Sequence, residues 1–317
     1  MEQSKANTQC AGVDVGKHRL DAAVHGSGDR LEVANDAAGL ATLVRWLKEL
    51  GVSRVGMEAT GGYERSMRQA LAAAGLEVVL HQPLEVRLFA RLKRLRAKND
   101  RLDAVLIAAA TAQVDAVKAA GDPRLQDLAE RLTAYEQVAD QLAELKTFME
   151  HVSLKDVARW LRGQIRALDR LKARLAADIL ARIKAHADLA ERLKLLMSLP
   201  GVGPIVGASL IVRMPELGQM KRGQAAALLG VAPFDRDSGQ FKGQRFIGGG
   251  RRRPRRMLYL AALAAKRWDP GLKAFAQSLA ERGKPLKLIV VAVMRKLIEA
   301  ANLVLARGQP WTKHAPA

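Results

Sequence analysis

The hydrophobic pattern of the chain changes near residue 115, and this change limits the folds that the sequence can adopt. Before it, short apolar runs with strand-like alternation are separated by stretches of helical periodicity. The pattern predicts strands at 10–15, 20–25, 30–33, 52–57 and 76–80, a helix from Asn35 or Asp36 to Leu50, and a helix opened by Gly61 and Gly62. Three strands followed by alternating helices and strands indicate a mixed α/β sheet covered by helices.

A different pattern follows, in which two long apolar stripes have near-heptad spacing. They run over 125–149 and 154–183, and Gly163 is the only Gly or Pro within them. We predict two long helices that form an antiparallel hairpin or an intermolecular coiled coil. The alternative is that both stripes pack on their own domain.

The remainder of the chain is predicted to be mainly helical, with glycine-rich interruptions at 201–207 and 239–250. We therefore predict a catalytic α/β domain at 1–115, a helical coiled-coil arm at 116–190 and a mainly helical domain at 191–317.

The charge of the chain indicates a polyanionic partner. The 52 basic and 32 acidic residues give a formal net charge of +20, which favours nucleic acid because basic side chains release counterions from phosphates. No apolar run approaches the roughly 20 residues of a spanning helix, and no signal peptide precedes Cys10. We expect no membrane partner, no disulfide and a cytoplasmic location.

Four acidic residues are placed so that they could meet. Asp14 lies on the first predicted strand and Glu58 ends the fourth, while Asp100 and Asp103 share one face of a later helix. Converging carboxylates require cations, and oxygen ligands suit Mg²⁺ or Mn²⁺. Such ions can activate a nucleophile and stabilise the leaving oxygen of a phosphodiester. This ordered set is the layout of the ribonuclease-H-like nucleases, including the RuvC-type junction resolvases.

Several segments are candidates for binding nucleic acid. Gly201 and Gly203 lie in a helix-hairpin-helix-like turn, whose free amides could contact phosphate. Basic residues cluster before Asp100 and again after Gly239, where arginine forks match phosphate oxygens. The candidate basic residues are Arg94, Arg96, Lys98, Lys242, Arg245, Arg251, Arg252, Arg253, Arg255 and Arg256. Ser238 precedes Gly239 in this region and, judged by spacing alone, is a turn residue rather than a nucleophile.

Taken together, these motifs resemble the DEDD transposases of bacterial insertion sequences (the IS110 family), to which the Piv-type DNA invertases are similar. The resemblance covers nearly the whole chain. Asp14, Glu58, Asp100 and Asp103 match the acidic tetrad, and Ser238 falls on the nucleophilic serine of the family's second domain. Asn99 stands where Thr is commoner, but the spacing of the aspartates is kept.

The resemblance implies a DNA recombinase with a composite active site. A RuvC-like domain would hold divalent metal, and a second domain would deliver Ser238 to form a phosphoserine–DNA link. It also implies donor and target duplex DNA and a structured non-coding guide RNA. The long stripes at 125–149 and 154–183 suggest self-association, so we predict a homo-oligomer in which dimers assemble to a tetramer.

Two other function classes stay open from the residues alone. A metal-dependent junction endonuclease would use the same carboxylates with water as nucleophile, so that Ser238 would be a turn residue. A nucleic-acid-binding scaffold would keep the folds without the chemistry, although the intact tetrad argues against it. An actin-like ATPase is disfavoured because no second glycine-rich phosphate loop with its own acid follows Glu58.

Overall fold

The structure is a computed structural model that describes residues 9–93, 100–115, 122–235, 243 and 245–312. For residues 100–102 it describes the helical backbone but not the side chains. The chain forms two compact units, Met1–Ala120 and Gly121–Ala317. The predicted boundary near 115 and the separate arm at 116–190 stay predictions.

The first unit is a five-stranded mixed sheet with helices. Its elements are β1 (Cys10–Val15), β2 (Arg19–Val24), β3 (Arg30–Ala34), α1 (Ala37–Glu49), β4 (Arg54–Glu58), α2 (Arg65–Ala73), β5 (Glu77–His81), α3 (Pro83–Leu92) and α4 (Asp100–Thr111). The strand order is β3-β2-β1-β4-β5. The first three strands are antiparallel neighbours, whereas β4 and β5 run parallel to β1. This is the predicted ribonuclease-H-like arrangement.

The two faces of the sheet are covered by different helices. Alternate residues of β1, namely Ala11, Val13 and Val15, join a buried core with α1 and α2, including Leu43 and Met67. The opposite face is covered by α4, which packs on β1, β2 and β4. Because side chains alternate along a strand, the residues between those three in β1 face α4.

Two predicted helix starts had different outcomes. Asp36 caps α1 as expected, since its Oδ1 accepts a hydrogen bond from Gly39 N at 2.8 Å. The predicted helix start at Gly61 and Gly62 is wrong, because both residues have positive φ values of 78° and 131°. They form a turn, and α2 begins only at Arg65.

The second unit is almost entirely helical. Its elements are α5 (Pro123–Met149), α6 (Lys155–Lys184), α7 (Ala187–Met197), α8 (Pro204–Arg213), α9 (Gln224–Leu229), β6 (Pro233–Phe234), β7 (Phe246–Ile247), α10 (Arg252–Trp268), α11 (Pro270–Glu281) and α12 (Leu286–Arg307). The strands β6 and β7 form a small antiparallel pair. No helix in the described part of the chain is long and apolar enough to cross a membrane.

The two long stripes pack against each other within the chain, as the hairpin interpretation predicted. Helices α5 and α6 are antiparallel, and cross-helix ion pairs such as Arg131–Asp178 (2.6 Å) connect them. Near the base of the hairpin, Leu132, Ile179 and Ile183 are buried in the main core of the unit. The base of the hairpin is therefore anchored in that core.

Candidate active site and nucleic-acid interface

A pair of glycines allows α4 to lie directly on the sheet. Gly12 of β1 and Gly56 of β4 are register partners. A Cβ atom on Gly12 would lie only 2.2 Å from Ala108 N and 2.3 Å from Ala104 O, both in the α4 backbone. A Cβ atom on Gly56 would lie 1.8 Å from Thr111 Oγ1. The absence of side chains on these two residues therefore sets the close approach of α4.

The register of β1 and β4 places two of the candidate carboxylates on the face of the sheet that α4 covers. Asp14 follows Gly12 by two residues and Glu58 follows Gly56 by two, so both side chains emerge on the α4 side. They come directly after the register pair Val13–Met57 at the ends of neighbouring parallel strands. Both are half-buried and have polar partners. The strands thus bring Asp14 and Glu58 together, as the sequence predicted.

Helix α4 carries the other two members of the predicted tetrad. Asp103 is half-buried and adjoins Ala104, whose carbonyl oxygen faces Gly12. Asp100 lies three residues earlier, at the first residue of α4, and its side chain is outside the described residues. Asp103 and the backbone of Asp100 therefore come immediately before the Ala104–Ala108 segment that lies against Gly12.

Two polar residues of this face were missed by sequence reasoning. Asp21 of β2 is the register partner of Asp14, is buried, and accepts a hydrogen bond from Arg19 Nε at 2.9 Å. His81 of β5 is the register partner of Glu58 and is also buried. The alternation of side chains along β2 and β5 is visible in the sequence. Only the strand register, however, shows that Asp21 and His81 lie beside Asp14 and Glu58.

The protonation of His81 follows from its contacts. Thr111 Oγ1 donates its proton to Ile107 O at 2.7 Å, so it must accept from His81 Nε2, 2.9 Å away. Burial lowers the pKa of His81 below its ordinary value, with a smaller opposing effect from Glu85. The neutral imidazole therefore links β5 to α4 beside Glu58.

Glu64, a third residue that sequence reasoning missed, orders the turn after Glu58. Its Oε2 accepts hydrogen bonds from Thr60 Oγ1 and Gly62 N, each at 2.8 Å. Burial would raise the pKa of this carboxyl, but these hydrogen bonds lower it below the ordinary value. Glu64 thus remains ionised and fixes the turn that ends in α2.

The donor chemistry of this face fits a hard divalent cation. Asp14, Glu58 and Asp103 offer carboxylate oxygens, which Mg²⁺ and Mn²⁺ prefer. Asp14, Glu58 and Asp103 are all described, but neither these three nor any other three His, Cys, Asp or Glu side chains among the described residues form a group that could hold a metal ion. The fourth predicted ligand, Asp100, lies outside that set because its side chain is not described.

In the second unit, the predicted phosphate-binding turn lies between α7 and α8. Gly201 has a φ of 75°, and a Cβ atom there would lie 2.3 Å from Ala261 O in α10. Gly201 therefore serves close packing against α10. Gly203 precedes α8, and a Cβ atom there would have no atom within 4 Å. Phosphate contact at Gly201 and Gly203 stays a prediction.

The described arginines at the start of α10 mostly contact groups of the second unit itself. Arg251 bonds Glu216 Oε2 at 2.7 Å, and Arg253 bonds Glu136 Oε2 at 2.5 Å. Arg256 bonds Asp140 Oδ2 at 2.7 Å, while Arg255 donates to Gly249 O at 2.8 Å. The side chain of Arg252 is exposed and makes no ion pair or hydrogen bond within the described chain.

Glu136 is the centre of the α10 ion pairs. Its side chain is 12% exposed, and Oε2 accepts from both Arg253 and Arg213, the latter at 3.2 Å. Burial lowers the pKa of Arg213, although the Glu136 carboxylate opposes this effect. The carboxylate is therefore the counter-charge of a buried guanidinium as well as of an exposed one.

Of the remaining candidate residues, the structure describes only Arg245. Arg245 pairs with Asp235 at 2.5 Å on the exposed β6–β7 hairpin. Ser238 falls between β6 and β7 but lies outside the described residues. The other candidates outside the described residues are Arg94, Arg96, Lys98 and Lys242. Their roles in catalysis or nucleic-acid binding stay predictions.

Two family models and two curated relatives are similar to this chain. The model of the IS110 DEDD transposases matches residues 11–158. A second model, for transposases of the IS116/IS110/IS902 family, matches residues 193–277. The pilin gene-inverting proteins of Moraxella bovis and Moraxella lacunata are each 25% identical over 95% of this chain and 97% of their own length.

Two solved structures were also matched. One is a Thermus thermophilus RuvC in complex with Holliday junction substrate, which is 14% identical in sequence and has a TM-score of 0.28. The match covers 32% of this chain and 91% of the RuvC chain. The other is a second Thermus thermophilus RuvC structure, which is 18% identical and has a TM-score of 0.27. This match covers 35% of this chain and 98% of the RuvC chain. The two family models together span well over half of the sequence, so the chain is a DNA recombinase enzyme that belongs to the IS110 family of DEDD transposases.

Proposed function

We propose that this transposase cuts and rejoins DNA strands with a serine nucleophile and a carboxylate-bound divalent metal. The observation that carries the proposal is the placement of Asp14 and Glu58 on one sheet face, beneath the helix that bears Asp100 and Asp103. These four carboxylates are the proposed ligands, with Mg²⁺ or Mn²⁺ as the proposed metal. When bound, the metal would stabilise negative charge on the reacting phosphodiester.

Ser238 is the proposed nucleophile, on the strength of the family resemblance. Its Oγ would form a bond to phosphorus while the bond from phosphorus to the 3′ oxygen breaks. The serine proton would end on the departing oxygen, which leaves as a 3′-hydroxyl. Attack by another 3′-hydroxyl on the phosphoserine would restore a phosphodiester and return the proton to Ser238. The sequence needs no ATP, because the phosphoserine bond conserves the free energy of the original linkage.

The names of the curated relatives favour strand exchange over hydrolysis. A protein that inverts a gene has to rejoin the strands that it cuts, whereas an endonuclease releases them. A covalent intermediate satisfies this requirement because it keeps the broken end attached to the protein. Holding both ends in one assembly also supplies the proximity needed for rejoining.

The proposed assembly contains donor and target duplex DNA and a structured non-coding RNA that pairs with both. A homo-oligomer, in which dimers assemble to a tetramer, would bring the catalytic unit of one protomer to the serine of another. The net charge of +20 supports polyanionic partners of this size. Sequencing the nucleic acid that co-purifies with the chain identifies the RNA, and light scattering of the loaded complex measures the number of protomers.

The serine step is tested by trapping the covalent intermediate. Labelled substrate DNA is incubated with the chain, and a protein–DNA band is sought on a denaturing gel. We expect the band with the wild type and with Ser153→Ala, whose side chain is exposed in the α5–α6 connection, but not with Ser238→Ala. Efficient cleavage by the wild type without any adduct contradicts the serine mechanism and supports a water nucleophile.

The metal site is tested separately from activity. Mn²⁺ binding is measured by electron paramagnetic resonance with the wild type, Asp14→Asn and the matched control Glu49→Gln, which alters an exposed residue of α1. We expect Asp14→Asn alone to lose Mn²⁺ affinity and detectable strand exchange while still binding DNA. Unchanged Mn²⁺ binding and unchanged recombination by Asp14→Asn contradict the assignment.

A further inference from the structure

We propose that the outward face of α6 is a binding surface for the phosphate backbone of duplex DNA. Six basic residues define this surface, which we name the α6 stripe: Lys155, Arg159, Arg162, Arg166, Arg170 and Arg174. All six are exposed. They recur at intervals of three or four residues, so they project from one side of the helix.

The α6 stripe lies opposite the packed face of the helix. Ile179 and Ile183, two buried residues of α6, lie at least about 60° around the helix from any basic side chain of the stripe, whereas the buried Ala158 borders the stripe between Lys155 and Arg162. The packing of α6 against α5 therefore orients the stripe away from the hairpin seam. A surface formed in this way is held rigidly by a helix of 30 residues.

The stripe differs from other basic residues of the same hairpin in having no protein partners. Arg131 pairs with Asp127 and Asp178, and Arg182 pairs with the same two carboxylates. Within the described chain, none of the six stripe residues makes an ion pair or a side-chain hydrogen bond. Two acids of α6 adjoin the stripe along the helix. Asp169 pairs with Lys146 of α5 at 3.3 Å, and Asp156 is exposed and makes no ion pair with a stripe residue within the described chain.

Folding alone does not account for this arrangement. Like charges at i and i+4 on a helix repel and destabilise it. Arg162, Arg166, Arg170 and Arg174 form an unbroken series at that spacing. An external polyanion would relieve the repulsion, and charge complementarity is what identifies the partner.

The dimensions and composition of the stripe fit a DNA duplex. At about 1.5 Å per residue the stripe is roughly 28 Å long, which is most of one helical turn of B-DNA at about 34–36 Å. Arginine forks suit phosphate oxygens, while the stripe contains no Asn or Gln to read bases. We therefore infer contact that is independent of base sequence. Duplex DNA is chosen as the occupant because the chain belongs to a family of DNA transposases, so this inference rests on that part of the proposed function.

The test compares two triple variants that remove equal charge. Arg159→Gln/Arg162→Gln/Arg166→Gln alters the stripe, whereas Lys273→Gln/Lys284→Gln/Lys287→Gln alters exposed residues of α11 and α12 and the connection between them. Affinity for a random-sequence DNA duplex is measured by fluorescence anisotropy from 50 to 300 mM salt. We expect the stripe variant to bind on the order of 100-fold more weakly at 100 mM salt, and its salt slope to fall by about 2 to 3. The control should change by less than about tenfold.

A local reporter separates the stripe from the remaining surface. Trp160 is 66% exposed and adjoins Arg159. DNA binding should therefore alter its fluorescence in the wild type, and the Trp160→Phe variant should lose that change. Equal loss of affinity in both triple variants, or an unchanged Trp160 signal, overturns the proposal. So does a stripe variant that loses affinity for duplex RNA but keeps affinity for duplex DNA.

The outcome is independent of the serine and metal chemistry. The stripe side chains are exposed and unpaired, so circular dichroism and the thermal midpoint should be unchanged or slightly raised in the stripe variant. At saturating DNA this variant should still form the covalent adduct. If Ser238→Ala loses the adduct but keeps normal DNA affinity, the result supports the proposed serine reaction and says nothing about the stripe. If the stripe variant loses DNA affinity, the result supports the stripe and says nothing about the serine.

Discussion

The two units position their charged residues by different means. In the first unit, the register of β1 and β4 places Asp14 beside Glu58, and the missing side chains of Gly12 and Gly56 let α4 approach the same face of the sheet. In the second unit, the arginines of α10 are held by carboxylates, with Glu136 as the common partner of Arg213 and Arg253. One arrangement depends on steric fit, whereas the other depends on ionic attraction.

The difference predicts which perturbations each unit tolerates. Steric contact with a helix backbone is insensitive to salt and pH but does not accept an added methyl group. Ion pairs tolerate changes of shape but respond to protonation and, where exposed, to salt. The three variants or conditions that follow separate these two kinds of dependence.

The largest effect is expected from Glu136→Gln in the second unit. The substitution keeps the shape of the side chain but leaves the guanidinium of Arg213, whose side chain is only 14% exposed, without its counter-charge. Breaking a buried pair on one side costs about 3 to 5 kcal/mol. Urea unfolding should show a free energy of unfolding lower by this amount. The control Glu144→Gln, which alters an exposed residue of the same helix, should change it by less than about 0.5 kcal/mol. Similar values for both variants would show that the ionic arrangement is not what supports α5 and α10.

An intermediate effect is expected from Gly12→Ala in the first unit. The added methyl group would meet Ala104 O and Ala108 N, which belong to backbone and cannot rotate away. We expect a loss of about 2 to 3 kcal/mol that does not vary with salt. The Mn²⁺ affinity should fall with it, because α4 would move away from Asp14.

A matched pair of variants sharpens this steric prediction. Gly56→Ala is blocked mainly by the Thr111 side chain, so Thr111→Ala should partly rescue it but should not rescue Gly12→Ala. Gly28→Ala is the control, since a Cβ atom there meets nothing within 4 Å. Full stability of Gly12→Ala would contradict the close approach of α4.

The smallest effect is expected on acidification. Hydrogen bonds from arginine lower the pKa of Asp122, through Arg124, and of Asp127, through Arg131. A carboxylate with a lowered pKa stabilises the folded state above its ordinary pKa of 3.8, and this stabilisation is lost as the pH falls through the folded pKa. Because these pairs are largely exposed, solvent screening keeps the contribution of each pair to the free energy of unfolding small.

The measurement compares urea midpoints between pH 6 and pH 3. Arg124→Gln/Arg131→Gln should show a flatter decline than the wild type, since its carboxylates have lost their partners. Arg30→Gln/Arg45→Gln removes the same charge from exposed positions in the first unit and should decline as the wild type does. A decline of equal steepness in all three proteins would contradict the contribution of these pairs.

Much of the fold could be predicted from the sequence because its signals are local. The strands of the sheet, the cap at Asp36 and the two long helices follow from periodicity and capping chemistry. Helix α3 was not predicted from the basic stretch around Arg87, although Pro83 and the capping box of Gln82 and Glu85 mark its start. The charge of this segment concealed an ordinary helix start.

Other features depended on contacts between distant parts of the chain. The register of β2 and β5 places Asp21 and His81 beside the predicted carboxylates, and nothing in the local sequence of either strand indicates that register. The arginines at 251–256 looked available for phosphate in the sequence. The acids that pair with three of them lie at Glu136, Asp140 and Glu216, at least 35 residues away.

The sequence by itself determined the strands of the sheet, the two long helices, the family, and the identities of the candidate residues Asp14, Glu58, Asp100, Asp103 and Ser238. These depend on local periodicity and on motif spacing. Only the tertiary structure decided which basic residues are free to meet a polyanion, because pairing depends on distances between residues far apart in the chain. By that criterion the densest arginine cluster, at the start of α10, is largely neutralised, whereas the outward face of α6 is not.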